Sequence, residues 1–169
     1  MKKVLITGIT GMVGSHLADY LLKNTDWFIY GVCRWRSPLD NVNHLIDRVN
    51  KKDRLEFLYA DLCDSFSIDS ALKKSKPDYI FHLAAQSYPL TSFSSPISTL
   101  DTNILGTVRL LESVILNNLN PLIHVCSSSE VFGRVSEDKI PINEDCSFHP
   151  ASPYAISKVG TDLTARFYA

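Results

Sequence analysis

Short apolar, β-branched runs recur along the 169-residue chain, at residues 3–7, 27–33, 55–60, 79–84 and 122–127. Most are nearly continuous rather than alternating, which is the pattern of strands covered on both faces, as in a parallel sheet. Between them, apolar positions recur at helical spacing over residues 13–23, 42–49, 65–74 and 104–116. The order strand, helix, strand, repeated, predicts an α/β fold: a doubly wound parallel sheet whose right-handed crossovers put helices on both faces. Two stretches break the rhythm and read as loops: residues 87–98, rich in Ser and Pro, and residues 133–153, with three prolines and mixed charges.

A last helix opens at Ser152-Pro153, a capping residue followed by the imino acid that suits a first helical position. No Gly, Asn or Pro closes it before Ala169. A dinucleotide-binding sheet normally adds at least one more strand after such a helix. The expectation is therefore that residues 1–169 form one domain, the N-terminal, cofactor-binding part of a longer protein whose C-terminal substrate domain is absent. The fold would then break off in or after the helix carrying Tyr154 and Lys158.

Composition narrows the function. At 45% hydrophobic and 21% charged, the chain is too apolar for disorder. Seventeen basic against eighteen acidic residues leave a net charge of −1, so no global field would hold nucleic acid or an anionic membrane. Thr7-Gly8 and Gly11 interrupt the apolar start too early for a signal peptide, and no run is long enough to span a bilayer. Cys33, Cys63, Cys126 and Cys146 are widely spaced, as expected of reduced thiols in a cytoplasmic protein. The histidines show no metal-ligand spacing with them, so no metal is implied. His82 and His124, inside strands, read as packed or hydrogen-bonded residues.

Phosphate binding must then come from a local site, and one follows the first strand: Thr7-Gly8-Ile9-Thr10-Gly11-Met12-Val13-Gly14. Gly8 suits a tight turn, Gly11 a close approach of backbone to pyrophosphate, and Gly14 close packing of helix on strand. The following helix start supplies N–H donors and a partial positive charge, and Thr10, Met12 and Val13 join the three glycines as cofactor-binding candidates. Its setting between strand and helix makes the fold Rossmann-type. About twenty residues further on, where NAD sites carry an acid, stand Arg34, Arg36 and Ser37, which favour a 2′-phosphate and hence NADP. Asp61 stands after the third strand, where an adenine contact often falls, although it or Asp64 could equally cap the next helix.

Tyr154 and Lys158 are four residues apart and share one helical face. A phenol is a poor base at neutral pH, and a nearby ammonium favours its phenolate. The fifth strand opens into Ser127-Ser128-Ser129-Glu130, offering hydroxyls for a substrate alcohol and a carboxylate for proton transfer.

The glycine loop, the Ser-Ser-Ser-Glu strand end and Ser152-Pro153-Tyr154-x-x-x-Lys158 together resemble the extended short-chain dehydrogenase/reductase family. Within it they are most similar to the nucleotide-sugar 4,6-dehydratases, nearest the GDP-mannose branch. Leu83-Ala84-Ala85-Gln86-Ser87 and the stretch 101–111 are also similar. The resemblance implies NADP contacts at the glycine loop, at Arg34, Arg36, Ser37, Asp61 and Leu62, at Leu83, Ala84 and Ala85, and at Tyr154 and Lys158. It implies substrate contacts at Ser87, Ser128 and Ser129, and a catalytic set of Ser128, Glu130, Tyr154 and Lys158. The chemistry it implies is conversion of GDP-mannose to a 4-keto-6-deoxy sugar through an internal NADP redox cycle, in a homodimer or homotetramer. The fragment by itself would be inactive.

Ser128 stands where the dehydratases usually have Thr, Phe132 where Tyr is frequent, and Tyr88-Pro89 where His-Val is frequent. A nucleotide-sugar 4-epimerase or 4-ketoreductase shares Tyr154, Lys158 and the serines, and a non-catalytic NADP-binding module would share the glycine loop. Glu130 favours the dehydratase, because epimerases of this family usually carry a small or apolar residue there.

Overall fold

The computed structural model describes residues 1–169. Five strands, β1 (Lys3–Thr7), β2 (Phe28–Cys33), β3 (Leu55–Tyr59), β4 (Tyr79–His82) and β5 (Leu122–Val125), pair in parallel in the order β3-β2-β1-β4-β5. The helices are α1 (Met12–Asn24), α2 (Ile46–Lys51), α3 (Ser65–Ser75), α4 (Pro89–Ser94), α5 (Pro96–Leu100), α6 (Gly106–Leu116) and α7 (Pro153–Tyr168). The chain divides into two compact units. One holds residues 1–84 and 109–126, including the whole sheet; the other holds residues 85–108 and 127–169.

In the sheet unit, successive side chains of β1 point to opposite faces, and both faces are covered. Val4 and Ile6 join Ile29 and Leu55 under Ala18 and Leu21 of α1. Leu5 joins Leu58 and Ile80 under Ile68 and Leu72 of α3 and Leu110 and Val114 of α6. Burial on both sides explains why β1 reads as an unbroken apolar run. The expectation of two covered faces fails at β5, an edge strand paired only with β4, where Leu122 and His124 are exposed. His124 is thus less packed than expected, its ring tilted against Phe81 at 5.9 Å.

Two helical readings are refined. Residues 42–49 divide into a 3-10 turn, Asp40–Leu45, and α2, which ends at Lys52 in the left-handed region. The stretch 104–116 begins with a π turn, Asp101–Leu105, before α6. Its apolar stripe splits, since Leu111 and Val114 are buried while Leu105 and Ile115 are exposed.

In the second unit, residues 87–98 are not a loop. They form α4 and α5, each opened by a proline, Pro89 and Pro96, so the residues that suggested a loop act as helix starts. Residues 133–152 are irregular apart from the short 3-10 turn Glu137–Lys139, and Pro153 already belongs to α7. No helix is long and apolar enough to cross a membrane.

All four cysteines are free thiols. Cys33 is buried in the core beside Ile29, and burial pushes its thiol up to about 11 from an ordinary value of 9.0. Its folded-state value is raised, so the stabilising contribution is complete below the unfolded value and lost as pH rises through the interval between the two. Urea unfolding should therefore lose stability between about pH 9 and 11, and Cys33→Ala should remove that component. A thiol reagent at neutral pH should label exposed Cys63 and spare Cys33 until the protein unfolds.

Candidate functional site

The glycine loop is built at the carboxyl end of β1. Gly8 adopts φ +76°, a left-handed conformation, and its N–H donates to Val32 O at 3.0 Å, which ties the loop to β2. A Cβ on Gly8 would stand 3.0 Å from the backbone of Ala84, and one on Gly14 would overlap the carbonyl oxygen of Gly8. Gly14 thus lets α1 start directly against the turn, as the sequence suggests. Gly11 sits at the N-cap with no side-chain acceptor, and no acid occupies the first helical turn. The N–H groups of that turn remain available to an oxyanion, which fits a dinucleotide's pyrophosphate.

Thr7 connects this loop to β4. Its hydroxyl accepts from the N–H groups of Leu83 and Ala84, both at 3.1 Å, and lies 2.9 Å from His82 Nδ1. Thr7 and Asn41, whose amide donates to Thr10 O at 2.9 Å, are supporting residues the sequence reading missed. A hydroxyl directly before the first glycine was the available signal for Thr7; nothing local marks Asn41.

At the end of β2, Arg34 to Ser37 form a turn in which Ser37 N–H donates to Arg34 O at 3.0 Å and Arg34 N–H to Ser37 Oγ at 3.2 Å. Both arginines are exposed. The alternatives for the two acids resolve into separate tasks. Asp64 is the N-cap of α3, its carboxylate accepting from Phe66 N–H at 3.1 Å, while Asp61 Oδ1 accepts from Cys63 N–H at 2.9 Å. Leu62 has its side chain in the core, and its carbonyl accepts from Arg109 at 3.1 Å.

The second unit carries the catalytic candidates. Ser152 caps α7, its hydroxyl accepting from Ala155 N–H at 3.0 Å. Tyr154 and Lys158 are both buried, at 9% and 5% exposure. Ser128 accepts from Glu130 N–H at 3.2 Å, starting the 3-10 turn Ser129–Phe132, and Ser129 and Glu130 are exposed.

Buried Asn103, in the π turn, belongs to the family-like stretch 101–111, where the sequence marked it, with Gly106, as part of the resemblance but gave it no role in the site. Its side chain accepts from Gln86 N–H at 2.7 Å and donates to Gln86 O at 3.0 Å and to Ser157 Oγ at 2.8 Å. Ser157 in turn donates to Tyr154 O at 2.6 Å, and Thr161 donates to Asn103 O at 2.8 Å. One carboxamide thereby ties the segment before Ser87 to the Tyr154 helix.

A parallel sheet with the glycine loop at its β1–α1 junction, together with Tyr154 and Lys158 on a proline-opened helix, defines a short-chain dehydrogenase/reductase-type nucleotide-binding protein. The sequence profile of the GDP-mannose 4,6 dehydratase family matches residues 5–169, and the chain belongs to that family. A Yersinia enterocolitica relative named GDP-mannose 4,6-dehydratase is 40% identical over 94% of this chain, which spans 43% of that relative's length. Among solved structures, UDP-glucose 4-epimerase from Thermotoga maritima with UDP-glucose is 29% identical at TM-score 0.83, over 98% of this chain and 50% of that one. The Thermus thermophilus UDP-glucose 4-epimerase complex with NAD is 26% identical at TM-score 0.82, over 99% and 50%. RMD from Pseudomonas aeruginosa complexed with NADPH is 28% identical at TM-score 0.73, over 96% and 48%.

Asn103→Ala should leave the Gln86 N–H and C=O without their side-chain partner. The expected cost is about 2 kcal/mol or more of folding stability, measured by urea denaturation against the parent chain.

Proposed function

We propose that the chain is the cofactor-binding and catalytic part of a nucleotide-sugar 4,6-dehydratase that uses NADP and acts on GDP-mannose. Binding of a nicotinamide dinucleotide is supported by the uncapped α1 start and the Gly8–Gly14 contact. NADP over NAD is supported by Arg34, Arg36 and Ser37, two guanidinium forks and a hydroxyl where an acid would otherwise meet a ribose 2′-hydroxyl.

Held at the glycine loop and by Tyr154 and Lys158, a nicotinamide would supply the hydride-transfer chemistry that connects sugar C4 and C6. The chain's own residues handle the protons. Tyr154 takes the proton of the 4-hydroxyl, and Lys158 holds the nicotinamide ribose and offers the phenol a positive neighbour. Ser128 hydrogen-bonds the 4-hydroxyl, with Ser87 and Ser129 as further sugar contacts. Glu130 removes the proton from C5 and passes it to the departing C6 hydroxyl, which leaves as water; the proton that Tyr154 took from the 4-hydroxyl then goes to C5 as C6 gains hydride, restoring both residues.

Glu130 carries this reading. An exposed carboxylate stands two residues after Ser128, and inversion at C4 alone requires no base at C5. The second reading, a nucleotide-sugar 4-epimerase, is favoured by the similarity to the Thermotoga maritima enzyme. A homodimer or homotetramer and a cytoplasmic location complete the proposal.

Assayed as the whole reading frame containing residues 1–169, with GDP-mannose and NADP, the protein should yield a product lighter by one water. A product of unchanged mass with C4 inverted would replace the dehydratase reading by the epimerase. Tyr154→Phe should lower turnover by at least about 100-fold while sparing cofactor affinity, and Glu130→Gln should stop water loss. Residues 1–169 alone should bind cofactor without sustained turnover. Arg34→Ala should weaken NADP roughly tenfold or more and NAD little, measured by calorimetric titration; equal losses would return the cofactor to NAD.

A further inference from the structure

Trp35 is 76% exposed, an unusual position for an indole, and stands between Arg34 and Arg36 in the turn that leaves β2. Its ring meets Tyr59, the last residue of β3, edge to face at a centroid distance of 4.9 Å. Tyr59 is itself 54% exposed. Because Cys33 pairs with Tyr59 in register, both rings lie at the carboxyl ends of their strands, as does the loop after Thr7, whose register partner in β2 is Val32. Ligands of open parallel sheets bind beyond those ends. In an edge-to-face pair the ring presenting its edge keeps both faces free and the other keeps one, so the pair presents an open aromatic face beside two guanidinium groups. A flat purine carrying a nearby phosphate matches that combination: the base stacks on the ring, and the phosphate meets the forks.

We propose that Trp35, propped by Tyr59, is the platform on which the adenine of the dinucleotide stacks. The inference rests on the NADP reading above and adds to it two residues that recognise the base rather than its phosphate. The turn closed by Ser37 and Arg34 presets the position of the indole, so part of the ordering cost of stacking is met before the ligand arrives.

Adenosine 2′,5′-bisphosphate, which carries the base and the 2′-phosphate but no nicotinamide, is the probe. Its binding should quench tryptophan emission. The quench reports on Trp35, because Trp27 is stacked on Tyr79 at the opposite end of the strands. Trp35→Ala should abolish the quench and weaken the probe by about tenfold, whereas Trp35→Phe should recover most of that affinity. Nicotinamide mononucleotide, lacking adenine, should bind all three proteins alike. If Trp35→Ala binds the bisphosphate within about twofold of the parent while Arg34→Ala is weakened, the platform is wrong and the NADP reading stands. If Trp35→Phe is as weak as Trp35→Ala, stacking is likewise overturned. If the parent chain does not bind the bisphosphate at all, the NADP reading falls and the platform with it.

Discussion

The contact between Gly14 and the Gly8 carbonyl is the constraint on which the sheet unit depends. A hydrogen stands at Gly14 where any other residue would place a carbon into the oxygen of Gly8. That single vacancy of side chain lets α1 begin against the turn leaving β1, and α1 then covers Val4 and Ile6 with Ala18 and Leu21. The same closeness directs the uncapped N–H groups of the first helical turn toward the crevice beyond the strands. Close packing and an uncapped helix start facing that crevice are therefore two consequences of one steric condition. Thr7 extends it sideways, because its hydroxyl binds the backbone leaving β4 and so sets the distance between the strands at the point where the strand order reverses.

With a net charge of −1, the protein offers a phosphate no long-range attraction. In the function proposed above, recognition would rest instead on short-range donors, the helix N–H groups at one position and Arg34 and Arg36 at another. Hydrogen-bond donors of this kind act at contact distance, and dissolved ions screen exposed charges lying more than about 10 Å away.

The two units are held by different forces. The sheet unit buries continuous aliphatic clusters on both faces. The unit containing α4, α5 and α7 buries Ser92, Thr99, Asn103, Thr107, Ser157, Lys158 and Thr161. Burying polar groups is favourable only when each finds its partner, so this arrangement specifies geometry more strictly than an oily interface would. Asn103 illustrates it, acting on Gln86 as a neighbouring strand would and on α7 through Ser157. The α7 helix, whose Tyr154 carbonyl accepts from Ser157, is thereby held in rotation as well as in position.

What was legible in the chain was everything that depends on spacing. The near-continuous runs identified the five strands, the glycine triplet identified the tight turn from β1 into α1, and Ser152-Pro153 identified the start of the Tyr154 helix, because periodicity, φ preferences and capping act over a few residues. Where the sequence misled, a local cue served another purpose: Pro89 and Pro96 open helices rather than loops. Tertiary structure alone decided that Thr7 would bind Leu83 and Ala84, that Asn103 would pair with Gln86 and Ser157, and that Trp35 would rest on Tyr59. Those pairs are separated by tens of residues, and only the register of the sheet and the docking of the helices bring such groups within bonding distance.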